Sequence, residues 1–435
     1  MIKSSSNMNI PLKKYISDHF SKLSPNPELS FSNIPRNQNQ YLTHSYHRYP
    51  AKFIPGLASY LINTNTKKND VVCDPFGGCG TTLVEAKINS RHSVGIDINP
   101  LASLISKTKI TAISPRKLQN YTDDLLERIK NSKSTGKDRE VNPRIKYWFD
   151  DQVLEGLLLI DNVIKKTADI EIKRFFQCAF SHILKNCSRW LMKSIKPTID
   201  KKKIPPIPQK IFNQHLKFMI RKNYEFYEII SRKKLENISA KFYLRDARNT
   251  KLPKHFADYI LTSPPYVTSY EYSELHQLGI LWFNMTNDWK AFKKKFIGTT
   301  YRTDKNKGTN SEIASNIIQN MIYYGKDIGL AKSISTYYED MWDFILESKR
   351  ILKTSKKISL VLGNTSIKGV EILNAEVAYE QLLKAGFKNL EVEKRQTSSQ
   401  SITPFRDIES GRFTSIANPN KRRAYQYEYI ITGIN

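Results

Sequence analysis

Val71-Val72-Cys73-Asp74-Pro75-Phe76-Gly77-Gly78-Cys79-Gly80-Thr81-Thr82 decides how this chain folds. The run opens apolar and β-branched, as a buried strand does, and breaks at an acid followed by proline. Gly77, Gly78 and Gly80 then allow positive φ and leave no Cβ where a ligand must touch the backbone. The pattern predicts a strand over 70–76, a tight turn, and a helix over 81–89. A second cycle follows, with a strand over 92–98 and a helix over 101–111. Such βαβα alternation argues for a parallel sheet with helices on its faces. In Gly95-Ile96-Asp97-Ile98-Asn99, Asp97 ends the second strand, where a carboxylate accepts from ribose hydroxyls in dinucleotide folds. Read alone, these residues leave another Rossmann-type enzyme using NAD or a nucleotide as the alternative.

A second corner lies far downstream. Tyr259-Ile260-Leu261 is apolar and runs into Thr262-Ser263-Pro264-Pro265-Tyr266. Two prolines stiffen the turn, a hydroxyl and carbonyls offer acceptors, and a tyrosine supplies an aromatic plate. On its own the pentapeptide reads equally as a plain Pro-rich turn. The strand before it and the glycine loop upstream argue against that.

Together the two segments resemble the S-adenosylmethionine-dependent DNA methyltransferases of the SPPY type, which modify cytosine N4 or adenine N6. The resemblance covers most of residues 41–435. It implies an α/β, Rossmann-like fold with a mostly parallel seven-stranded sheet, carrying helical and basic insertions. The segment His44-Ser45-Tyr46-His47-Arg48-Tyr49-Pro50-Ala51-Lys52-Phe53-Ile54-Pro55 is similar to the one that closes over the methionine end of the cofactor. The resemblance thereby implies cofactor contacts from Tyr49, Lys52 and Phe53. It adds Asp74, Pro75, Phe76, Gly77, Gly78, Gly80, Thr81 and Thr82 from the loop, with Asp74 near the methionine amino group. Asp97, Ile98 and Asn99 would lie at the ribose, and Asp246 and Ala247 at the adenine. Asp246 reads equally as a loop or capping carboxylate, and His44 and His47 as packing histidines.

At the second corner, the resemblance implies that Ser263 and the Pro264 carbonyl accept the two amino hydrogens of the target. Pro265 would stiffen the turn, and Tyr266 would stack on the extruded base. Serine at the first motif position, in place of Asn or Asp, favours cytosine N4 over adenine N6. The order of closing segment, cofactor loop, long insert and SPPY is similar to the α-type arrangement, whose target-recognition region occupies that gap. An RNA or tRNA methyltransferase would share the fold but add an RNA-binding appendage, which is not seen. A non-catalytic DNA-binding module would not need the intact glycine loop, Asp97 and SPPY. A restriction–modification enzyme is expected, with a cognate endonuclease acting separately. Glu391-Val392-Glu393-Lys394 reads as a late strand rather than a nuclease site.

Bulk properties agree with a polyanionic partner. The 435 residues carry 69 Lys+Arg against 41 Asp+Glu, a formal charge of +28. Cations set against phosphates release condensed counterions. Seventeen Lys/Arg against five Asp/Glu fall within residues 193–254, and Lys201, Lys202, Lys203, Arg221 and Lys222 are the candidate contacts to double-stranded DNA. The bland reading of that stretch is a solvated face.

The division expected is a polar, loosely ordered lead-in at 1–40, a cofactor-binding half at 41–118, a helical and basic insertion at 119–240, and a catalytic half at 241–435. A second insertion spans about 284–335. Within the first insertion, apolar residues recur at helical steps from Ile172 through Phe175, Phe176, Ala179, Phe180, Ile183, Leu184 and Cys187. Strands are predicted at 241–245, 259–262, 358–362, 390–394 and 425–432, and helices at 337–352 and 372–383. A Ser/Arg-rich loop joins the last two strands. Four cysteines without a CxxC pattern suggest buried thiols and no metal site. No apolar run spans a bilayer and no signal peptide is evident, so a cytoplasmic protein is expected.

Overall fold

The computed structural model describes residues 11–435 apart from 32–33, 36–37, 51, 133–140, 195, 268–270, 303–307, 398–404, 411–412 and 425. Residues 1–10 of the lead-in, Ala51 of the closing segment and 303–307 of the second insertion therefore lie outside the described residues.

Seven strands form the main sheet: β1 (Val71–Asp74), β2 (His92–Asp97), β3 (Ala240–Leu244), β4 (Ala257–Thr262), β5 (Leu352–Gly363), β6 (Lys388–Gln396) and β7 (Tyr427–Ile434). Their order is β3-β2-β1-β4-β5-β7-β6. β1 to β5 run parallel, and β7 alone runs antiparallel, to β5 and to β6. The strand order reverses between β1 and β4, so a crevice opens past their carboxyl ends, where ligands bind in open α/β sheets.

Both faces of this sheet are covered, which is why its strands read as continuous apolar runs. Alternate residues divide between the faces. Cys73, Ile260, Leu360 and Ile431 pack with helices Ile328–Ile351 and Asn374–Lys384. Val72, Tyr259, Leu261, Val361 and Ile430 pack instead under helix Pro55–Asn65.

The long insertion between β2 and β3 builds its own core from helices Pro115–Asn131, Asp151–Lys165, Ile170–Cys187 and Pro208–Arg232. All eight apolar positions singled out in Ile170–Cys187 are buried, and Asp169 caps the helix by accepting from the Glu171 and Ile172 N–H groups. This lobe shares its core with Leu101, Leu104 and Ile105 of helix Pro100–Lys109, which follows β2.

Three expectations change. The lead-in is not loosely ordered throughout, because Leu12–Ser21 is a helix that buries Ile16 and Phe20 in the main core. Their spacing of four residues already placed them on one face. Helix Glu312–Tyr323 of the second insertion likewise buries Ile313, Ala314, Ile317 and Met321 in that core. The Ser/Arg-rich loop between β6 and β7 contains a small antiparallel sheet of Phe405–Asp407, Phe413–Thr414 and Lys421–Arg423.

All four cysteines are buried and free. Among the described residues no cluster could hold a metal ion, and no helix is long and apolar enough to cross a membrane.

Candidate active site

β1 and β4 are direct neighbours, with Cys73 opposite Ile260. Their two corners therefore meet: the Thr262 hydroxyl donates to Asp74 Oδ1 at 2.6 Å. Beyond that bond lies an open cleft of roughly 870 Å3, a figure that includes the solvent space at its mouth. Tyr49, Lys52 and Phe53 line it from the closing segment, and Asp74, Pro75, Phe76, Gly77, Gly78, Thr81 and Thr82 from the first corner. Asp97, Ile98, Asn99, Asp246, Ala247, Ser263 and Pro265 complete the expected set. Gly80, Pro264 and Tyr266 are not in the lining. Cys79, Tyr272, Lys295, Phe296 and Ile297 are in it as well, and none of them was expected there.

The glycines do more packing than ligand approach. A Cβ on Gly77 would sit 2.9 Å from the Phe242 ring and 3.3 Å from the Gly95 Cα. Gly80 has φ +76°, and its Cβ would lie 2.9 Å from Ser106 Oγ. These two let the loop press against β2, β3 and helix Pro100–Lys109. Gly78, at φ +44°, is the one whose Cβ would meet a cleft-lining ring, that of Tyr49 at 3.4 Å.

Two acids give the first corner its electrostatic character. Asp97 accepts from the Gly78 N–H (3.1 Å) and the Asn99 N–H (2.9 Å). Asp74 accepts from Thr262 and from the Phe76 N–H at 3.1 Å. Burial outweighs these neutral donors and pushes each carboxyl up to about 6. Helix Thr81–Ile88 starts without a side-chain cap, so its first N–H groups are open to an anion. A ligand bearing a cation, a carboxylate and sugar hydroxyls answers all three features at once.

Asp246 is engaged differently. Arg248 grips both of its oxygens, Nε to Oδ1 at 2.9 Å and Nη2 to Oδ2 at 2.6 Å. Burial raises this carboxyl's pKa, but the guanidinium outweighs burial and holds it below the usual range. Arg248 also bonds buried Asp340 (2.8 Å) and the Lys295 carbonyl (3.1 Å), and Arg302 pairs with Asp340 as well. This network latches the Lys295–Phe296–Ile297 wall of the second insertion to the end of β3. No spacing in the sequence pairs residue 248 with 340.

The closing segment is held from both sides. The Tyr49 ring packs against His276 with centroids 4.6 Å apart, and His276 Nδ1 accepts from the Asn99 amide at 2.7 Å. His44 is a packing residue: burial keeps the ring neutral, and its Nε2 lies 2.7 Å from Glu85. His47 stands edge-on to His182, which stacks on His215 in the insertion.

The second corner is braced by hydroxyls. Ser263 Oγ donates to the Val361 carbonyl at 3.1 Å, so its remaining lone pairs are acceptors. The Tyr337 hydroxyl donates to the Pro265 carbonyl at 2.9 Å. Tyr266 donates to Glu428 Oε1 at 3.0 Å, and Arg395, almost fully buried, lies 3.6 Å from the other carboxylate oxygen.

Of the five basic residues singled out, Lys201, Lys202 and Arg221 are exposed. Lys203 instead donates to the Lys185 and Trp190 carbonyls at 2.8 and 3.0 Å, and burial lowers its pKa to about 8. Lys222 bonds both oxygens of Glu225.

Comparison with known proteins bears on the same residues. A family model described as DNA methylase matches residues 3–108, the span that holds the closing segment, the glycine loop and Asp97. The chain is 30% identical over 397 residues to the type II methyltransferase M.MvaI of Kocuria varians, with 83% of each chain covered. It is 23% identical over 437 residues to M.BsoBI of Geobacillus stearothermophilus, covering 84% of this chain and 83% of the relative. A shorter match, 32% over 148 residues, covers 34% of this chain and 26% of M.MjaII from Methanocaldococcus jannaschii.

Proposed function

This chain belongs to the DNA methyltransferases that act on exocyclic amino groups, and from that premise we propose that it methylates the N4 amine of a flipped cytosine within a fixed short sequence of duplex DNA. The observation that carries the reading is the Thr262–Asp74 hydrogen bond, which joins the acid-lined corner to the SPPY corner across one cleft. The family's methyl donor is S-adenosylmethionine. When bound, it supplies a methyl group on a sulfonium, open to displacement by a nitrogen lone pair.

The residues of the first corner fit that donor. Asp97 is set to accept from ribose hydroxyls, Asp74 to face the ammonium group, and the uncapped start of helix Thr81–Ile88 to meet the carboxylate. Tyr49, Lys52 and Phe53 close the cleft over it. Ala247 takes the adenine with Phe296 and Ile297, while Asp246 shapes the wall through its grip on Arg248.

The residues of the second corner prepare the amine. Its lone pair is delocalised into the base, so acceptors for both amino hydrogens are needed to localise it on nitrogen. The Ser263 hydroxyl directs its hydrogen at the Val361 carbonyl, so its lone pairs can serve as one. The Pro264 carbonyl serves as the other. Because the turn is braced before a base arrives, little reorganisation accompanies the reaction. Tyr266 offers its face to the extruded base. Extrusion costs a few kcal/mol, which phosphate contacts from exposed Lys201, Lys202 and Arg221 offset. The proton released from the methylated amine passes to water.

Serine rather than Asn or Asp at position 263 supports cytosine over adenine. The type II relatives support a role in a restriction–modification pair, protecting DNA in the cytoplasm from an endonuclease that acts separately. The test is expression in a host lacking DNA methylation, followed by modification-sensitive sequencing. N4-methylcytosine at every copy of one short sequence is expected. N6-methyladenine in its place would overturn the base assignment, and scattered marks would overturn the site specificity.

A further inference from the structure

We propose that the small sheet between β6 and β7 (Phe405–Asp407, Phe413–Thr414 and Lys421–Arg423) is a ribbon that enters a groove of the DNA duplex beside the reacting corner. The inference rests on the DNA methyltransferase reading and adds a second contact surface, separate from the helical insertion.

Topology fixes which edge of the sheet this excursion leaves from. β7 is antiparallel to β5 and to β6, so β6 points the same way as β1 and β4. Its last residue, Gln396, and the first of β7, Tyr427, therefore lie on the edge where Asp74 and Thr262 end. With strands about 4.8 Å apart, β7 stands roughly 10 Å from β4. The return leg is also bonded to the reacting corner. Glu428 accepts from Tyr266, and the Thr365 hydroxyl, just past β5, donates to the Ala424 carbonyl at 3.0 Å.

One acid ties the described turns of the ribbon together. Asp407 accepts from the Ser410 N–H and hydroxyl in one turn and from the Asn418 amide in the other. That acid is thereby engaged inside the ribbon. Residues 405–423 hold five Lys/Arg against two acids. Arg406 is buried in the ribbon, so among the described residues the cations it can offer outward are those of Lys421–Arg423, of which Arg423 is exposed.

Each turn also exposes an isoleucine, Ile408 at 50% and Ile416 at 72%. Apolar side chains at turns flanked by cations are a poor match for bulk water. They fit a groove whose walls are phosphates and whose floor carries thymine methyls. A major groove about 12 Å wide admits a β-ribbon. An acidic protein surface would match the cations but would give the isoleucines no such floor.

The test measures binding of the full chain, with S-adenosylmethionine present, to a fluorescent mixed-sequence duplex across a salt series. Replacing Lys421→Gln and Arg423→Gln together should weaken binding about tenfold. It should also flatten the log K against log salt slope by about 1.8, since each phosphate contact contributes about 0.9. Ile416→Ser should weaken binding several-fold and leave the slope unchanged. All these variants should keep the parent's cofactor affinity and melting temperature. A control pair, Lys67→Gln with Lys68→Gln, precedes β1 at the opposite edge of the sheet and should change nothing. If the parent binds DNA while the Lys421/Arg423 variant keeps its affinity and slope, or the control loses as much, the ribbon proposal falls and the proposed function stands. If the parent binds no duplex at all, the functional reading falls and takes the ribbon with it.

Discussion

The two corners that meet at the β1–β4 junction are built by opposite means. The cofactor corner holds two carboxyls, Asp74 and Asp97, in a buried setting that makes ionisation unfavourable. The reacting corner holds Ser263 and two prolines, none of which titrates near neutral pH, and fixes them with hydroxyl bonds to carbonyls and to Glu428. One corner holds acids that are costly to ionise, a cost that a cationic ligand would offset on the proposed reading. The other is geometrically complete. The difference teaches that binding and transfer are separable here, although a single hydrogen bond joins them.

The sharpest way to break that separation is Ser263→Ala. At saturating cofactor its methyl-transfer rate should fall about 100- to 1,000-fold, as when one preorganised group at a developing charge is lost. Its cofactor Kd should stay within about twofold, as calorimetry would report. Asp97→Asn should do the reverse. Loss of charge-assisted bonds to the ribose should raise the cofactor Kd about 10- to 100-fold, while the single-turnover rate at saturation stays near the parent's.

Acidity provides the next test. Both carboxyls rise from 3.8 to about 6 in the folded chain. The fold therefore favours their protonated forms, and that share of stability is complete below about pH 4 and lost as pH rises through 6. A cationic ligand favours the ionised forms, so its affinity should strengthen over the same interval. Titration should show cofactor Kd rising up to about tenfold per pH unit below 6. Unliganded Asp97→Asn should melt a few degrees above the parent near pH 7 and lose that advantage near pH 4.

The smallest effect expected is that of Tyr337→Phe, which removes the donor to the Pro265 carbonyl. A neutral hydrogen bond contributes about 0.5–1.5 kcal/mol, so the rate should drop about two- to tenfold with cofactor affinity unchanged. An equal loss of affinity would mean that the corner's bracing also shapes the cofactor side.

How much of this was legible in the sequence follows from how local the cause is. β1, β2, β4 and the helices after the first two were readable because strands covered on both faces must be continuously apolar, and the turns that end them need glycine or proline. Nearly all of the expected lining residues reach the cleft, since strand ends adjacent to one another in a parallel sheet converge on one edge. Long-range pairings were not readable. Nothing near Arg248 names Asp340, so the latch on Lys295–Ile297 stayed hidden. Gly80 takes the positive φ expected of it, but the neighbours that a Cβ on Gly77 or Gly80 would meet, Phe242 and Ser106, come from distant segments that the loop itself does not name. Lys203 illustrates the same limit: charge is visible in a sequence, but not whether a lysine turns inward onto carbonyls.

The most direct test of the joined corners is incubation of the full chain with duplex DNA and S-adenosylmethionine labelled in its methyl group, followed by nucleoside digestion and mass spectrometry. The label should appear in N4-methyldeoxycytidine, and Ser263→Ala should abolish it while still binding the cofactor. Label on no exocyclic amine, or undiminished transfer by Ser263→Ala, would contradict the account.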